Sequence, residues 1–307
     1  MLKPRPLQPG DRVAIVAPAS PFKRDEFDRG VQEVRRLGFE PVYDESVFAR
    51  RRYVAGPPEL RAQAILRAWQ DRSIGGIIGA RGGFGSAQLL PLLDPAEARR
   101  ACKPFIGYSD LTSVLTFLTV GCEMVAFHGP MLAGRLGGGP ARYDVDSLLK
   151  ALGRCEALGE LRGPALETIR HGDASGPLFG GTLTQLVASL GTPFAFAPPR
   201  GHVLFLEEVS ERPYRLDRMI TQLVQSGLLG RAAGVVIGEL TGCDEPAGET
   251  TGRAVVADLF ADFPGPVLVG FPSGHTAGPA LTLPLGVACR VVTSPTPALI
   301  VEEPAVQ

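Results

Sequence analysis

"KPFIGYSDLT", residues 103–112, decides how this chain is read. Pro104, Phe105, Ile106 and Tyr108 surround Gly107; Ser109 and Asp110 follow; then "DLTSVLTFLTV" (110–120) turns to a helical pattern. A short apolar run passing directly into a helix is the strand-to-helix joint of a parallel sheet. A serine occupies that joint, at the carboxyl edge of the strand, where open α/β sheets bind ligands.

The same alternation extends outward on both sides. "DRVAIVAPAS" (11–20) reads as a buried strand, "DEFDRGVQEVRRLGF" (25–39) as an amphipathic helix and "EPVYDE" (40–45) as a strand. "PPELRAQAILRAWQD" (57–71) is a helix with proline at its start, "IGGIIGA" (74–80) a strand, "GSAQLLPLLD" (85–94) a helix and "EMVAFHG" (123–129) a strand. This predicts an α/β fold whose first part is a doubly wound, mainly parallel sheet over residues 1–143. Beyond Ala133 the pattern loosens: a helical "VDSLLKALG" (145–153) leads into "RGPALETIRHGDASGP" (162–177), which has neither a clear period nor any aromatic side chain, and residues 144–178 are expected to be a linker. Residues 179–307 form a smaller, strand-richer domain: a helical "GGTLTQLVASLG" (180–191), strands "HVLFLEEV" (202–209) and "AAGVVIGEL" (232–240) around helix "PYRLDRMITQLVQSG" (213–227), and apolar runs to the end.

Composition narrows the function. The 307 residues are 45% hydrophobic and 21% charged with a formal net charge of −1, so neither nucleic acid nor an anionic membrane is an expected partner. A small molecule or peptide fits better. Five cysteines, odd in number and never in C-x-x-C spacing, indicate a reducing compartment without a disulfide framework or zinc knuckle. The apolar run in "VAIVAPAS" is shorter than the roughly 7–15 residues of a secretory signal, and no stretch reaches the ~20 residues of a membrane span. A cytoplasmic location is therefore expected. No H-E-x-x-H or related spacing occurs, so neither a metal nor another cofactor is expected.

Ser109 has two readings. It caps the following helix, or it is a nucleophile whose substrate carbonyl meets the backbone N–H groups at the helix start, Asp110 among them. The turn is similar to the nucleophile elbow G-x-S-x-G, with Gly107 before the serine but Leu111 at the last glycine position. "ARGGFGS" (80–86) follows another strand of the same sheet; it lacks the dinucleotide fingerprint, and Gly82 or Gly83 suits an oxyanion hole or a plain tight turn. Of the four histidines, His171 falls in the expected linker and His202 opens a strand, where a surface role is expected; His128 ends a strand at the relevant edge. His275, in the loop "GFPSGHTAGP", is the preferred base. An acid to orient it is expected from Glu207, which shares a strand face with Val203 and Phe205; a solvated Glu207, or one paired with Arg215 or Arg218, is the plainer alternative.

"RGGFGSAQLLPLLD", "KPFIGYSD", "FHGPM", "LFLEEVSERPYRLDRM" and "PSGHTAGPALTLPLG" together resemble, in order and over nearly the whole chain, the motifs of the LD-carboxypeptidase family, serine peptidases of the S66 type. The resemblance implies a Rossmann-like N-terminal domain bearing the nucleophile Ser109 and a C-terminal domain bearing Glu207 and His275. It also implies an oxyanion hole from the N–H of Asp110 and of Gly82 or Gly83, and often a homodimer. Glu208 stands where many members have aspartate, which leaves open which carboxylate of the pair orients the histidine. The implied substrate is a cytoplasmic muropeptide of peptidoglycan recycling that loses its terminal D-alanine from an L-configured centre. Arg81 is a candidate for the terminal carboxylate by position alone. A sister branch cleaves peptidyl-nucleotide antibiotics, but the only tryptophan, Trp69, lies on a helix of the first domain. An α/β-hydrolase esterase and a non-enzymatic two-domain binding protein are the remaining alternatives.

Overall fold

The computed structural model describes residues 1–307. Its elements in chain order begin with β1 (Arg12–Val16), α1 (Arg24–Arg36), β2 (Glu40–Val42), α2 (Pro58–Gln70), β3 (Ile74–Gly79), α3 (Pro95–Ala101), β4 (Phe105–Gly107), α4 (Thr112–Thr116) and β5 (Ala126–His128). They continue with α5 (Val145–Gly153), β6 (Gly159–Leu161), β7 (Glu167–Arg170), β8 (Asp173–Thr182), α6 (Leu183–Ala188), β9 (His202–Glu207), α7 (Pro213–Gln225), β10 (Ala232–Gly238), α8 (Gly252–Leu259), β11 (Val267–Phe271), β12 (Leu283–Leu285), β13 (Ala288–Val292) and β14 (Ala298–Val301).

The first sheet has the order β12-β5-β4-β3-β1-β2, with β1 to β5 all parallel. Its central strand β3, "IGGIIG", is buried at every position, as a parallel strand covered on both faces must be. The expected helix over 85–94 is a 3₁₀ turn, Ser86–Leu92, because Pro91 inside it removes a backbone donor. The expected helix over 110–120 is α4 between a 3₁₀ turn, Ser109–Leu111, and a π turn, Phe117–Gly121.

Residues 144–178 are not a linker. They contain α5, β6, β7 and more than half of β8, all three strands being part of a second sheet ordered β6-β14-β13-β8-β9-β10-β11-β7. Helix α5 matches the helical pattern over 145–153, but two features hid the strands. Strand β7 is a charged edge strand with Glu167 and Arg170 exposed, the usual protection of a sheet edge. Strand β8 carries glycine where side chains would normally announce a strand: a Cβ on Gly176 would lie 2.0 Å from Gly201 O, and one on Gly180 1.8 Å from Phe205 O.

Strands β8 to β11 run parallel, so β8 and β9 deliver their carboxyl ends together. Along β9 the alternation is strict. Leu204 and Leu206 join the apolar layer under α6, α7 and α8, while Val203 and Phe205 join the large core shared with the first sheet. The two sheets are further tied by β12, which comes from the C-terminal part of the chain yet pairs antiparallel with β5, Leu283 opposite His128 and Leu285 opposite Ala126. Both sheets therefore present their carboxyl edges to one shared region.

Candidate active site

Ser109 follows β4 after one residue, Tyr108, and sits at φ +62°, in the left-handed region that costs a non-glycine residue of order 1 kcal/mol or more. No side chain caps the 3₁₀ turn or α4 after it, so the capping role does not apply to Ser109. The turn is fixed from behind by Asp110. Its buried carboxylate accepts from the N–H of Gly85 (3.2 Å) and Ser86 (2.8 Å), and Ser86 Oγ donates to Asp110 O (2.5 Å). Burial pushes the Asp110 carboxyl upward, while these N–H donors and the nearby Arg61 guanidinium pull it back. The same clamp draws the loop Arg81–Gly85 over the serine: a Cβ on Gly82 would lie 2.8 Å from Ser109 Cβ, 3.0 Å from its Oγ and 3.4 Å from Asp110 N. Only a glycine brings a backbone so close. Gly83, at φ +99°, packs instead on Ser20, where its Cβ would come within 2.4 Å of Oγ.

The second sheet delivers Glu207 and, after β11, His275. Glu207 is fully buried on the face of Phe205, as the period of two required. Its Oε2 accepts from His275 Nδ1 at 2.7 Å and from the His275 N–H at 2.9 Å, and its Oε1 accepts from the Thr182 hydroxyl. Burial works to raise this carboxyl, yet the hydrogen bond and charge of His275, helped by Thr182, bring it down to about 2. Gly274, at φ +73°, permits the double contact, since a Cβ there would lie 2.6 Å from Glu207 Oε2. Neither Arg215 nor Arg218 pairs with Glu207; Arg215 pairs with Glu211.

Glu208 points to the opposite face. Its Oε2 accepts from Thr184 N–H (2.9 Å) and Oγ1 (2.6 Å), and its Oε1 accepts from Val209 N–H (3.0 Å). It is buried at the start of α6, and the carboxylate of the pair that meets His275 is Glu207. Arg81 is exposed on the loop over the serine and donates to Pro21 O at 3.3 Å. His171 is exposed beyond β7. His202 is buried rather than superficial, its Nδ1 2.8 Å from Pro199 O.

Two further residues belong to the neighbourhood: His128, the less preferred base by sequence, and Arg135, which no sequence pattern marked. His128, at the end of β5, is completely buried with Nε2 3.9 Å from Glu207 Oε1 and Nδ1 3.2 Å from Ser273 Oγ. Ser273 Oγ gives its proton to Leu281 O (2.8 Å), so Nδ1 of His128 donates and the buried Nε2 keeps its lone pair. Burial pushes this imidazole down to about 4, so it is neutral near pH 7. Arg135, in the glycine-rich stretch after β5, is buried, and its guanidinium donates to the carbonyls of Gly274 (2.7 Å), Thr276 (2.5 Å), Gly278 (2.9 Å) and Arg142 (2.9 Å). It holds the loop that bears His275.

The two halves of the site meet through Tyr108 and Thr112. The Tyr108 ring, next in chain to Ser109, lies edge-on to His275 with centroids 5.0 Å apart and to His128 at 5.9 Å. Thr112 Oγ1 accepts from the N–H of Thr182, the residue that donates to Glu207. Ser109 and His275 thus lie on either side of the Tyr108 ring contact, both partly exposed, with no hydrogen bond between them. A hydroxyl in a strained turn, a carboxylate-bound imidazole and glycine backbone beside the hydroxyl are the parts of an acyl-transfer site.

The LD-carboxypeptidase N-terminal domain model matches residues 13–129, and the LD-carboxypeptidase C-terminal domain model matches residues 175–291. The murein tetrapeptide carboxypeptidase of Pseudomonas aeruginosa is 32% identical, over 88% of this chain and 90% of its own. A Bacillus subtilis protein named "Probable murein peptide carboxypeptidase" is also 32% identical, over 97% of this chain and 94% of its own. The structure of MccF in complex with glutamyl sulfamoyl guanosine has the same fold, with a TM-score of 0.92 over the whole of both chains at 24% identity. The chain belongs to the LD-carboxypeptidase family, the S66 peptidases.

Proposed function

We propose that this peptidase is a serine-type LD-carboxypeptidase, in which Ser109, His275 and Glu207 act as nucleophile, base and orienting acid. The observation that carries the proposal is the double hydrogen bond from His275 to Glu207. It fixes the proton on Nδ1 and leaves Nε2 as the nitrogen free to take the Ser109 proton. His275 Nε2 takes the hydroxyl proton as Ser109 Oγ attacks the scissile carbonyl. The developing oxyanion is received by the N–H of Asp110 and of Gly82 or Gly83, and His275 then protonates the departing amine. Water, deprotonated by the same imidazole, attacks the acyl-enzyme and returns Ser109 to its free form.

The substrate in this proposal is a cytoplasmic muropeptide, from which terminal D-alanine leaves an L-configured centre. Support comes from similarity over 88% or more of the chain to proteins named murein peptide and murein tetrapeptide carboxypeptidase. The sister activity on peptidyl nucleotides is the competing outcome. The decisive experiment incubates the protein and its Ser109→Ala variant with a muramyl tetrapeptide and with a peptidyl adenylate, and follows products by mass spectrometry. Release of D-alanine by the parent alone is expected. Release of the nucleotide part alone would transfer the assignment to the sister activity, and turnover of neither would remove the proposal.

A further inference from the structure

Beside the loop that covers Ser109, the surface carries two unusual features in one place. Tyr53 and Phe84 are among the few large hydrophobic residues left exposed, at 60% and 50%, and their rings meet edge-on with centroids 5.4 Å apart. Next to them is a depression of about 390 Å³ lined by Arg51, Arg52, Tyr53, Val54, Pro58 and Gln88. Arg51 and Arg52 are exposed and take part in none of the protein's ion pairs, unlike Arg12, Arg24 and Arg29 elsewhere on the first domain.

This rim is built rigidly. Ser20 donates its hydroxyl proton to Tyr53 O (2.8 Å), and its Oγ accepts from Phe84 N–H (3.1 Å) while Ser20 N–H donates to Gly82 O (3.1 Å). One serine therefore binds the Tyr53 turn to both sides of the glycine pair at Ser109. Arg51 and Val54 bridge each other across a tight turn, and Arg52 within it sits at φ +57°. A non-glycine residue in that region persists only where its surroundings hold it, which is a common mark of a functional turn. Aromatic rings on a fixed backbone lose little freedom when a ligand covers them. Unpaired guanidiniums supply the fork that receives a carboxylate.

We propose that Arg51, Arg52, Tyr53 and Phe84 form a subsite for an acidic peptide, a specificity element that rests on the peptidase proposal above. The arginines take a carboxylate on the acyl side of the scissile bond, and the two rings support the aliphatic stem beneath it. The subsite sits on the Gly82 side of Ser109, and so contributes to substrate capture rather than to bond making. None of its four residues touches the reacting atoms.

Two peptides that differ only in an acyl-side carboxylate, free in one and amidated in the other, test this. With the acidic peptide, Arg51→Gln/Arg52→Gln and Tyr53→Ala/Phe84→Ala should each raise KM about tenfold, the scale of one charge-assisted contact, with kcat within about twofold of the parent. With the amidated peptide the arginine pair variant should equal the parent. Parallel thermal melts establish that each variant is folded. Unchanged KM for the acidic peptide in both pair variants would overturn the subsite while leaving the peptidase proposal standing. Calorimetry of Ser109→Ala protein with the acidic peptide reads the subsite without turnover. Binding that weakens about tenfold on adding the arginine changes supports it even if neither peptide is cleaved, and binding indifferent to them, or none, overturns it.

Discussion

Glu207 holds His275 twice through a single oxygen: Oε2 receives the ring Nδ1–H at 2.7 Å and the backbone N–H at 2.9 Å. Ring orientation and loop position are therefore set by the same carboxylate. Glu207→Gln keeps the shape but loses the charge that stabilises an imidazolium. It is expected to lower kcat about 1,000- to 10,000-fold with little change in KM, the penalty typical of neutralising an orienting acid. Steady-state kinetics on the proposed muropeptide substrate decides the matter, and a loss below tenfold would separate Glu207 from the chemistry.

Ser109 at φ +62° stores strain that glycine would not feel. Ser109→Gly is expected to abolish turnover while raising unfolding free energy by about 0.5–1 kcal/mol, whereas Ser109→Ala keeps the strain and gains nothing. Urea denaturation of the three proteins distinguishes them. A glycine variant less stable than the alanine variant would contradict the strained turn.

Gly82 is not at positive φ, so an alanine there suits the backbone and meets Ser109 first, 2.8 Å from its Cβ. Gly82→Ala is expected to cost at least tenfold in kcat through displacement of the hydroxyl and of the proposed oxyanion donors. Its melting temperature should fall by only a few degrees, within the range of a single local adjustment.

Arg135 satisfies carbonyls of Gly274, Thr276 and Gly278 around His275. Arg135→Met fills much of the volume but supplies no donor. It should destabilise the protein by roughly 2–4 kcal/mol, the cost of buried acceptors left unpaired, and loosen the His275 loop. Hydrogen exchange over residues 272–280 should rise first there; an unchanged exchange rate would assign Arg135 a role other than loop support.

Acid should unfold the protein through its buried histidine. His128 titrates near 6.5 when unfolded and is pushed down to about 4 by burial when folded. Between those values the unfolded chain holds more protons, so stability declines as pH falls from about 6.5 to about 4, by on the order of 3 kcal/mol. Glu207 continues the trend: its folded value of about 2 lies below the usual ~4.3, so its contribution is present above ~4.3 and is lost as pH falls toward 2. His128→Asn, which can keep the donor to Ser273, should flatten the upper part of this profile. An equally steep decline in that variant would place the titration elsewhere.

Local sequence was sufficient for what depends on neighbours along the chain. The β4–Ser109–α4 joint follows from an apolar run meeting a helical one, and the inward face of Glu207 follows from the strand period that also buries Val203 and Phe205. The parallel first sheet was legible because its central strands are largely apolar and helix α1 is amphipathic. Strands β6 to β8 were not, since edge charge and glycine replaced the apolar alternation that marks a strand.

By itself the sequence determined the α/β class, the turn that exposes Ser109 and the residue types able to move a proton. Tertiary structure alone decided that His128 faces Glu207, that Arg135 secures the His275 loop and that β12 crosses into the first sheet. These are contacts between residues tens to hundreds of positions apart, brought about by the packing of two sheets around one core. No periodicity along the chain encodes such a meeting, because the energy that fixes it comes from surfaces burying each other and not from any segment alone.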